Sequence, residues 1–482
     1  MQTREETMTP WNFALDLKEV VLDFAYLSLF LVAGTIFRRY VPFFRKYLIP
    51  NNIIAGFAAL ILGPQILGAF WRALDLPAIS VVPLDSDRLG IYVYHLLAIT
   101  FISMGLRREK KHFGKGPFSK AMACIMSYVF QATLGLLIAF ALIYTIKPDL
   151  FPGMGYLLTM GYGMGPGLAY SIGHGWEQYG FAGGGQVGLT FAAVGYLFAF
   201  FGGIGLIRYG IRHRKLKTIT SMEEITHDIR TGIIHREHHK KESAGKLTMA
   251  QEAIDTLSFQ VALIGLIYLA TYGVTKLLAG WMPPDLANTL WSFHFMFGIL
   301  LSLLVRNILD RIGKSYMIDE GLMSRINGVA IDYLVVAAIA AISLPVLSRY
   351  WLPVLLMSVL GGTGTVFLLY WISYRAYDDY PFERFVSVFA EMTGTINSSL
   401  TLIRVMDPNF KTVIADDSIY GSAITIGLAF PMLILLNIPT MFFAENLLTG
   451  YWISLGAILA YTFLLVILWR ATGFIKFRKQ LD

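Results

Sequence analysis

A glycine-rich stretch from Met160 to Gln186 separates two apolar runs and reads MGYGMGPGLAYSIGHGWEQYGFAGGGQ. Each interior glycine costs a helix roughly 1 kcal/mol, so a continuous helix is disfavoured here. Broken helices expose amide N–H groups, which favour anions, and carbonyl groups, which favour cations such as Na⁺. We predict a tip whose backbone contacts ion or substrate, formed by Gly163, Gly165, Pro166 and Gly167. Close helix packing through small residues is the alternative.

A second helix-breaking stretch, Gly394–Phe410, is as long as Gly165–Phe181 and reads GTINSSLTLIRVMDPNF. Hydroxyl and carboxamide oxygens are neutral ligands for Na⁺, and their hydrogens donate to carboxylates. Thr393 is predicted to bind the ion, and the predicted substrate-binding residues are Gly394, Thr395, Asn397, Ser398, Ser399 and Arg404. Arg404 follows Asn397 by two helical turns and has the fork geometry that pairs with a carboxylate. The alternatives are helix capping by Ser or Asn and an arginine that reaches water.

Two acidic residues, Asp332 and Glu391, lie in strongly apolar surroundings. Acids within a membrane span are costly and indicate a cation or proton role, so both are predicted ion ligands. The alternatives are a hydrogen-bonded structural acid at Asp332 and an ion pair of Glu391 with Arg404. His174 and Glu177 lie on one helix face, where a metal or proton-relay role is less favoured than a position near water. No metal beyond Na⁺ is expected.

The composition indicates a helical membrane protein. The chain of 482 residues is 56% hydrophobic and only 15% charged, against about 25% in soluble proteins. The net charge of +7 does not indicate nucleic-acid binding, because the basic residues lie between apolar runs. The single cysteine, Cys124, excludes an intramolecular disulfide framework. We find no phosphate-binding loop, zinc motif or nucleophile elbow, and therefore expect neither an enzyme nor a cofactor.

Eleven apolar runs have roughly the length that crosses a bilayer. They are Val20–Phe37, Ile53–Trp71, Ile91–Leu106, Met122–Ile146, Gly188–Ile207, Leu257–Leu278, Trp291–Val305, Ile326–Leu347, Leu352–Tyr374, Tyr420–Asn437 and Tyr451–Trp469. Most of the 39 lysines and arginines follow the odd-numbered runs, which places that side in the cytoplasm. We predict a multi-pass protein of the plasma (inner) membrane, with its N-terminus outside and its C-terminus cytoplasmic.

The long polar segment in the middle of the chain divides the spans into two halves. Each half has five spans, an odd number, so the halves are predicted to be inverted relative to each other. The predicted order is an extracytoplasmic tail (1–19), a first five-span repeat (20–207) with a re-entrant segment (153–187), a cytoplasmic linker (208–256), a second five-span repeat (257–437) with a re-entrant segment (380–419), and an extra C-terminal span (451–469). The His-rich segment His235–Lys241 of the linker is predicted to be solvated near anionic lipid headgroups.

Five segments resemble the bacterial sodium/glutamate symporter family. They are YLIPNNIIAGF (Tyr47–Phe57), FISMGLR (Phe101–Arg107), GYGMGPGLAYSIGHGWEQYGF (Gly161–Phe181), VRNILDRIG (Val305–Gly313) and SRINGVAIDYLVVAAIAAI (Ser324–Ile342). The resemblance runs from about Tyr47 to Pro439 and implies two inverted five-span halves, two re-entrant loops, a homodimer and Na⁺-coupled glutamate uptake.

The resemblance is weakest at the two tips. The family's first loop typically has Gly-Gly-His-Gly-Thr, whereas this chain has Gly-Met-Gly-Pro-Gly at 163–167. The second loop, usually rich in glycine and alanine, is more polar here. We therefore expect Na⁺-coupled symport of glutamate or a related small anionic acid by alternating access. The alternatives are an H⁺- or Na⁺-coupled carrier of another organic anion, of the citrate type, and, less favoured, a channel.

Overall fold

The computed structural model describes residues 17–76, 82–107, 114–225, 227–233, 243–408 and 412–475, and these residues form helices joined by turns. The ten α-helices before the linker are α1 (Leu17–Tyr40), α2 (Pro42–Tyr47), α3 (Asn51–Leu62), α4 (Leu67–Ala73), α5 (Ser86–Leu106), α6 (Lys115–Thr145), α7 (Met154–Thr159), α8 (Pro166–Gly175), α9 (Gly184–Leu197) and α10 (Gly203–Arg212). The turns Met160–Met164 and Phe198–Gly202 are π-helical.

The described residues of the linker contain one short α-helix, and nine described α-helices follow it. They are α11 (His227–Thr231), α12 (Thr256–Ala279), α13 (Pro284–Ser292), α14 (His294–Arg311), α15 (Glu320–Ala340), α16 (Leu344–Ala376), α17 (Pro381–Met392), α18 (Ile396–Met406), α19 (Ile414–Phe442) and α20 (Leu447–Ala471). The N-terminal tail, apart from 17–19, and His235–Lys241 lie outside the described residues.

Ten helices in the described ranges are long and apolar enough to cross a membrane. The count becomes eleven when the pair Leu286–Ser292 and His294–Arg311, bent by 59°, is taken as one span. The chain is therefore an all-helical, multi-pass membrane protein, as the apolar runs predict. The apolar residues exposed on α1, α12, α16 and α20 fit a surface that faces lipid.

Several span boundaries differ from the predicted ones, two of them in ways that matter for the packing. The predicted span Ile326–Leu347 extends too far, because α15 ends at Ala340 and α16 begins at Leu344. Pro345 occupies the first turn of α16, where its missing N–H has no partner to lose, so it starts a new helix. The fourth predicted span begins too late, since α6 starts at Lys115 and buries Lys120.

Aspartate side chains cap the N-termini of several long helices. Asp85 accepts hydrogen bonds from the backbone amides of Asp87 and Arg88 at the start of α5. Asp255 and Asp319 accept from the amides of Ser258 and Leu322 at the starts of α12 and α15. These bonds satisfy amides that have no partner within the helix and fix where each span begins.

Helix α6 lies at the centre of the fold and packs against α7, α16, α17, α19 and α20. Its backbone approaches α7 so closely that a Cβ atom at Gly135 would lie 2.1 Å from the carbonyl oxygen of Gly155. Two glycines at this crossing let the backbones touch. Helix α6 thus brings side chains to the two places where helices are interrupted. The first break is the glycine-rich segment before α8, and the second is the polar segment between α17 and α18.

Candidate functional site

The second break separates α17 from α18. Helix α17 ends at Met392, and α18 begins at Ile396 after Thr393, Gly394 and Thr395. Thr395 occupies the capping position of α18, but its side chain makes no capping hydrogen bond. The capping position is therefore held by neither Ser nor Asn, and Thr395 lines a cavity.

The first break separates the π-helical turn after α7 from α8. Gly165 adopts a φ of 95°, a conformation that side chains disfavour, and Pro166 is the first residue of α8. The remaining first-tip glycines are closely packed. A Cβ atom at Gly163 would lie 2.5 Å from the Tyr128 ring, and one at Gly167 would lie 2.7 Å from Leu97.

The two breaks meet inside the protein. A Cβ atom at Gly165 would lie 3.8 Å from Cγ2 of Thr395. Helix α6 holds both breaks through their backbones. The Tyr128 hydroxyl donates to the carbonyl oxygen of Gly163 at 3.2 Å, and Gln131 Nε2 donates to that of Met392 at 2.9 Å. Polar side chains of one span therefore satisfy carbonyl groups that the broken helices leave open.

A cavity of about 560 Å³ opens beside Thr395. Parts of α3, α9, α15, α18 and α19 form its wall, together with the residues that lead into α3 and α19. Its polar and charged lining consists of Asn52, Tyr196, Asp332, Thr395, Asn397, Ser398, Thr401, Arg404, Thr412 and Asp416. Five of the predicted site residues, Asp332, Thr395, Asn397, Ser398 and Arg404, are thus brought to one cavity from distant parts of the chain.

The cavity contains charges of both signs. Asp332 accepts a hydrogen bond from Asn52 Nδ2 at 2.8 Å through Oδ1. Asn52 Oδ1 makes no hydrogen bond within the described part of the chain. Arg404 and Asp416 contribute the other charges of the lining. The arrangement places carboxylate and amide oxygens, which suit a cation, in the same cavity as a guanidinium group, which suits a carboxylate.

The other predicted site residues lie outside this lining. The four first-tip residues and Gly394 are absent from the cavity wall. Thr393 is buried and its hydroxyl donates to the carbonyl oxygen of Phe389 at 2.8 Å. Ser399 is buried too, with its hydroxyl 2.9 Å from that of Ser387. Their predicted binding roles stay predictions.

Glu391 forms a buried ion pair with Lys120. Lys120 Nζ lies 2.6 Å from Glu391 Oε1, and the Ser422 hydroxyl donates to the same oxygen at 2.9 Å. The alternative of a Glu391–Arg404 ion pair is therefore wrong. Lys120 reaches Oε1 because α6 packs directly against α17, while the buried Oε2 has no hydrogen-bond partner among the described residues. The ion-binding role predicted for Glu391 stays a prediction.

His174 and Glu177 form a pair as their spacing suggests, with 2.9 Å between Nδ1 and Oε2. The other oxygen of Glu177 accepts from the backbone amide of Gly185. No group of three or more His, Cys, Asp or Glu side chains that could hold a metal occurs among the residues the structure describes. Through the contact of Glu177 with His174 and with the Gly185 amide, the pair connects the end of α8 to the start of α9.

Sequence reasoning missed several lining residues. Thr401 lies one helical turn after Asn397, so the spacing that linked Asn397 to Arg404 also indicates Thr401. Asn52 lies in the first turn of α3, and its side chain bonds to Asp332 of a helix that is distant in the sequence. Tyr196 and Asp416 carry no comparable signal, because they reach the cavity only through the packing of α9 and α19.

A second cavity of about 430 Å³ adjoins the first and shares Pro50, Asn52, Asp332 and Thr401 with it. Its lining extends to Arg38 of α1 and Gly232 of the linker. Arg38 Nη2 donates to the carbonyl oxygen of Ile229 at 2.8 Å. The two cavities together connect the region around Asp332 with the linker.

Comparison with known proteins gives one match. The family model described as sodium/glutamate symporter matches residues 15–381. The matched range includes the first break, Asn52 and Asp332, and it ends where α17 begins. No curated protein and no solved structure matches the chain.

Proposed function

The chain belongs to the sodium/glutamate symporter family, and from this premise we propose that it carries glutamate or a related small anionic acid across the membrane with Na⁺ by alternating access. Membership itself indicates a Na⁺-coupled transporter. The observation that carries the proposal is the cavity in which Asp332 and Arg404, of opposite charge, face the same space. Its volume of about 560 Å³ lies within the range of small-molecule sites.

We assign the substrate carboxylate to Arg404. A guanidinium binds a carboxylate with two parallel, charge-assisted hydrogen bonds, which give orientation as well as affinity. Asn397, Ser398 and Thr395 supply further donors along the same wall. If the breaks shift during transport, further backbone groups would complete the site. These groups would come from Gly394, Ser399 and the first tip, Gly163 to Gly167.

We assign the coupling ion to the oxygens around Asp332. The Asp332 carboxylate is held by Asn52 Nδ2, which leaves Asn52 Oδ1 beside it as a neutral oxygen without a described partner. Thr393 and Glu391, on the other side of the second tip, are the remaining proposed ion ligands. Na⁺ moving down its gradient would then neutralise Asp332, an acid that is costly inside a membrane.

We propose that the two breaks are re-entrant loops in two inverted five-span repeats, 20–207 and 257–437, joined by a cytoplasmic linker. The support is the similar position of α7–α8 and α17–α18 in the two halves and their contact at Gly165 and Thr395. The family resemblance adds a homodimer and contact with membrane lipid. The N-terminus would lie outside and the C-terminus, with span 451–469 before it, in the cytoplasm.

The test is uptake of labelled L-glutamate into proteoliposomes with an inward Na⁺ gradient, an H⁺ gradient or neither. We expect accumulation with Na⁺ alone, and weaker accumulation in Asp332→Asn and Arg404→Gln at Na⁺ and glutamate concentrations near the half-maximal values of the wild type. Asp149→Asn and Arg311→Gln make the same chemical changes on exposed side chains away from the cavity and should leave uptake unchanged.

Other outcomes correct the proposal. Accumulation driven only by H⁺ would replace Na⁺ as the coupling ion. No glutamate accumulation, with uptake of citrate or another organic anion under the same gradient, would replace the substrate. A unitary conductance in a planar bilayer would replace alternating access by a channel.

A further inference from the structure

A separate cavity of about 380 Å³ lies between α2, the end of α10 and the linker. Its lining consists of Pro42, Arg45, Lys46, Leu48, Arg208, Met222, Ile225, Arg230 and Thr231. Four of these nine residues are cationic and none is acidic. The cavity shares no lining residue with the candidate transport site.

The four cations have no carboxylate partner in the part of the chain that the structure describes. Arg230 and Arg208 each donate from Nη2 to a backbone carbonyl, those of Met222 and Lys46, and keep other guanidinium donors available. Like charges that face one cavity repel each other, so a bound anion would relieve that repulsion.

The linker acid Glu224, which directly precedes the lining residue Ile225, already has hydrogen-bond partners. Glu224 Oε1 accepts from the amide and hydroxyl of Thr220 and from the amide of Ser221. These bonds, the Thr220 hydroxyl first, hold the pKa of Glu224 below its usual value. The carboxylate is therefore ionised but committed to the local turn rather than to the four cations.

Aromatic rings hold the basic side chains in place. The Arg208 guanidinium lies 5.5 Å and the Lys46 ammonium 5.8 Å from the centre of the Tyr47 ring. Tyr47 in turn packs on Phe43 and Phe201 at 5.3 and 4.8 Å. Cation–π contacts fix the positions of the charges without neutralising them.

The cavity lies where two spans leave the apolar region. Helix α2 directly follows the span Leu17–Tyr40, and Arg208 belongs to the last turns of the span Gly184–Arg212. Phe43 and Tyr40, beside the cations, are exposed apolar rings. This combination of a basic cavity and exposed apolar surface matches the headgroup level of a bilayer.

We propose that this cavity binds a phosphate group, carried by an anionic phospholipid or present as free phosphate. Arginine pairs bidentately with phosphate oxygens, and three arginines with one lysine surround the cavity. Because Arg230 belongs to α11, a bound phosphate would fasten the linker helix to α2 and α10. The proposal is independent of the transported substrate.

The test is thermal unfolding of the full-length protein in neutral detergent, followed by tryptophan fluorescence. Mixed micelles with phosphatidylglycerol, mixed micelles with phosphatidylcholine, and inorganic phosphate alone are titrated separately. The cavity variant is Arg45→Gln/Arg208→Gln. The control is Arg39→Gln/Arg311→Gln, which removes the same charge from exposed arginines outside the cavity.

We expect phosphatidylglycerol to raise the Tm of the wild type and of the control equally, and phosphatidylcholine to have no effect. The cavity variant should bind phosphatidylglycerol at least about tenfold more weakly, because it loses charge-assisted hydrogen bonds to the phosphate. A saturable shift with inorganic phosphate, lost in the same variant, would assign the site to free phosphate. An unchanged lipid response in the cavity variant, or an equal loss in the control, would overturn the proposal.

A folding defect in the double variant would not end the test. Lys46 is exposed, so Lys46→Gln should fold normally. Its phosphate or phosphatidylglycerol titration should still shift to higher concentration than that of Arg311→Gln. Identical titrations for these two single variants would equally overturn the proposal.

Discussion

The Lys120–Glu391 ion pair offers the sharpest test of the packing around the second break. The two side chains are 3% and 7% exposed, and the pair joins α6 to α17 just before the tip at Thr393. Ser422 donates to the same carboxylate oxygen. We predict that Lys120→Met destabilises the protein strongly, whereas Lys120→Met combined with Glu391→Met does not.

The size of the expected destabilisation follows from the distance between the two charged groups and from their burial. At 2.6 Å and an effective dielectric constant of about 20, the attraction is about 6 kcal/mol. Desolvation of both groups offsets much of it. Removal of one partner leaves a buried charge and costs about 3–5 kcal/mol, while replacement of both by apolar groups is often close to neutral. The two single losses minus the near-neutral effect of the double variant give a coupling free energy of about 6 kcal/mol or more.

The assay is a double-mutant cycle on unfolding in mixed micelles of SDS and a mild detergent. The exposed pair of Lys115 with Asp378 supplies a matched cycle, in which Lys115→Met and Asp378→Met should couple by no more than about 1 kcal/mol. Additive effects of Lys120→Met and Glu391→Met, or equal coupling in both cycles, would refute the reasoning.

The same variants separate the two roles considered for Glu391. If Glu391 serves only to pair with Lys120, the stable double variant should keep the Na⁺ dependence of uptake. If Glu391 is an ion ligand, as the sequence predicts, the Na⁺ concentration for half-maximal uptake should rise in the double variant although the protein remains folded.

Three further predictions concern the cavity and the first tip. Asp332→Asn should raise the Na⁺ concentration for half-maximal uptake about tenfold, because the carboxylate beside Asn52 loses its charge; an unchanged Na⁺ titration would contradict this. Arg404→Gln should raise the KM for glutamate about tenfold, measured as initial uptake rates; a change in kcat alone would contradict a role in carboxylate binding. Gly165→Ala should destabilise the protein by about 1–3 kcal/mol through its φ of 95°, while Gly205→Ala, with open space around it, should not; similar Tm shifts would rule out backbone strain.

The sequence predicts the helical, multi-pass architecture because long apolar runs leave few other structures in a membrane. It predicts the family only through the five segments that resemble it. It singles out Asp332 and Arg404 because charged groups in apolar surroundings stand out, and both residues line the same cavity. The sequence cannot predict which side chains contact each other in the folded protein. Lys120 precedes the predicted fourth span, Met122–Ile146, yet α6 starts early enough to bury it against Glu391.

The first tip shows why glycine alone is an ambiguous signal. A run of glycines permits both an exposed backbone and a close approach of other groups. Gly163 and Gly167 are packed against Tyr128 and Leu97, whereas Gly165 faces the second tip at Thr395. Periodicity and composition are the same for all three, so only the packing separates them.

The polar contacts of α6 constrain how the proposed alternating access would work. Tyr128 and Gln131 bind backbone carbonyls at the first and second breaks, and Lys120 binds α17 through Glu391. A movement of either break away from α6 would leave these buried groups unpaired, each at a cost of about 1–3 kcal/mol or more. We therefore expect α6 and both breaks to move together. The cavity would then open when α18 and α19 move relative to α3 and α15. Helices α3 and α15 are joined to each other by the hydrogen bond between Asn52 and Asp332.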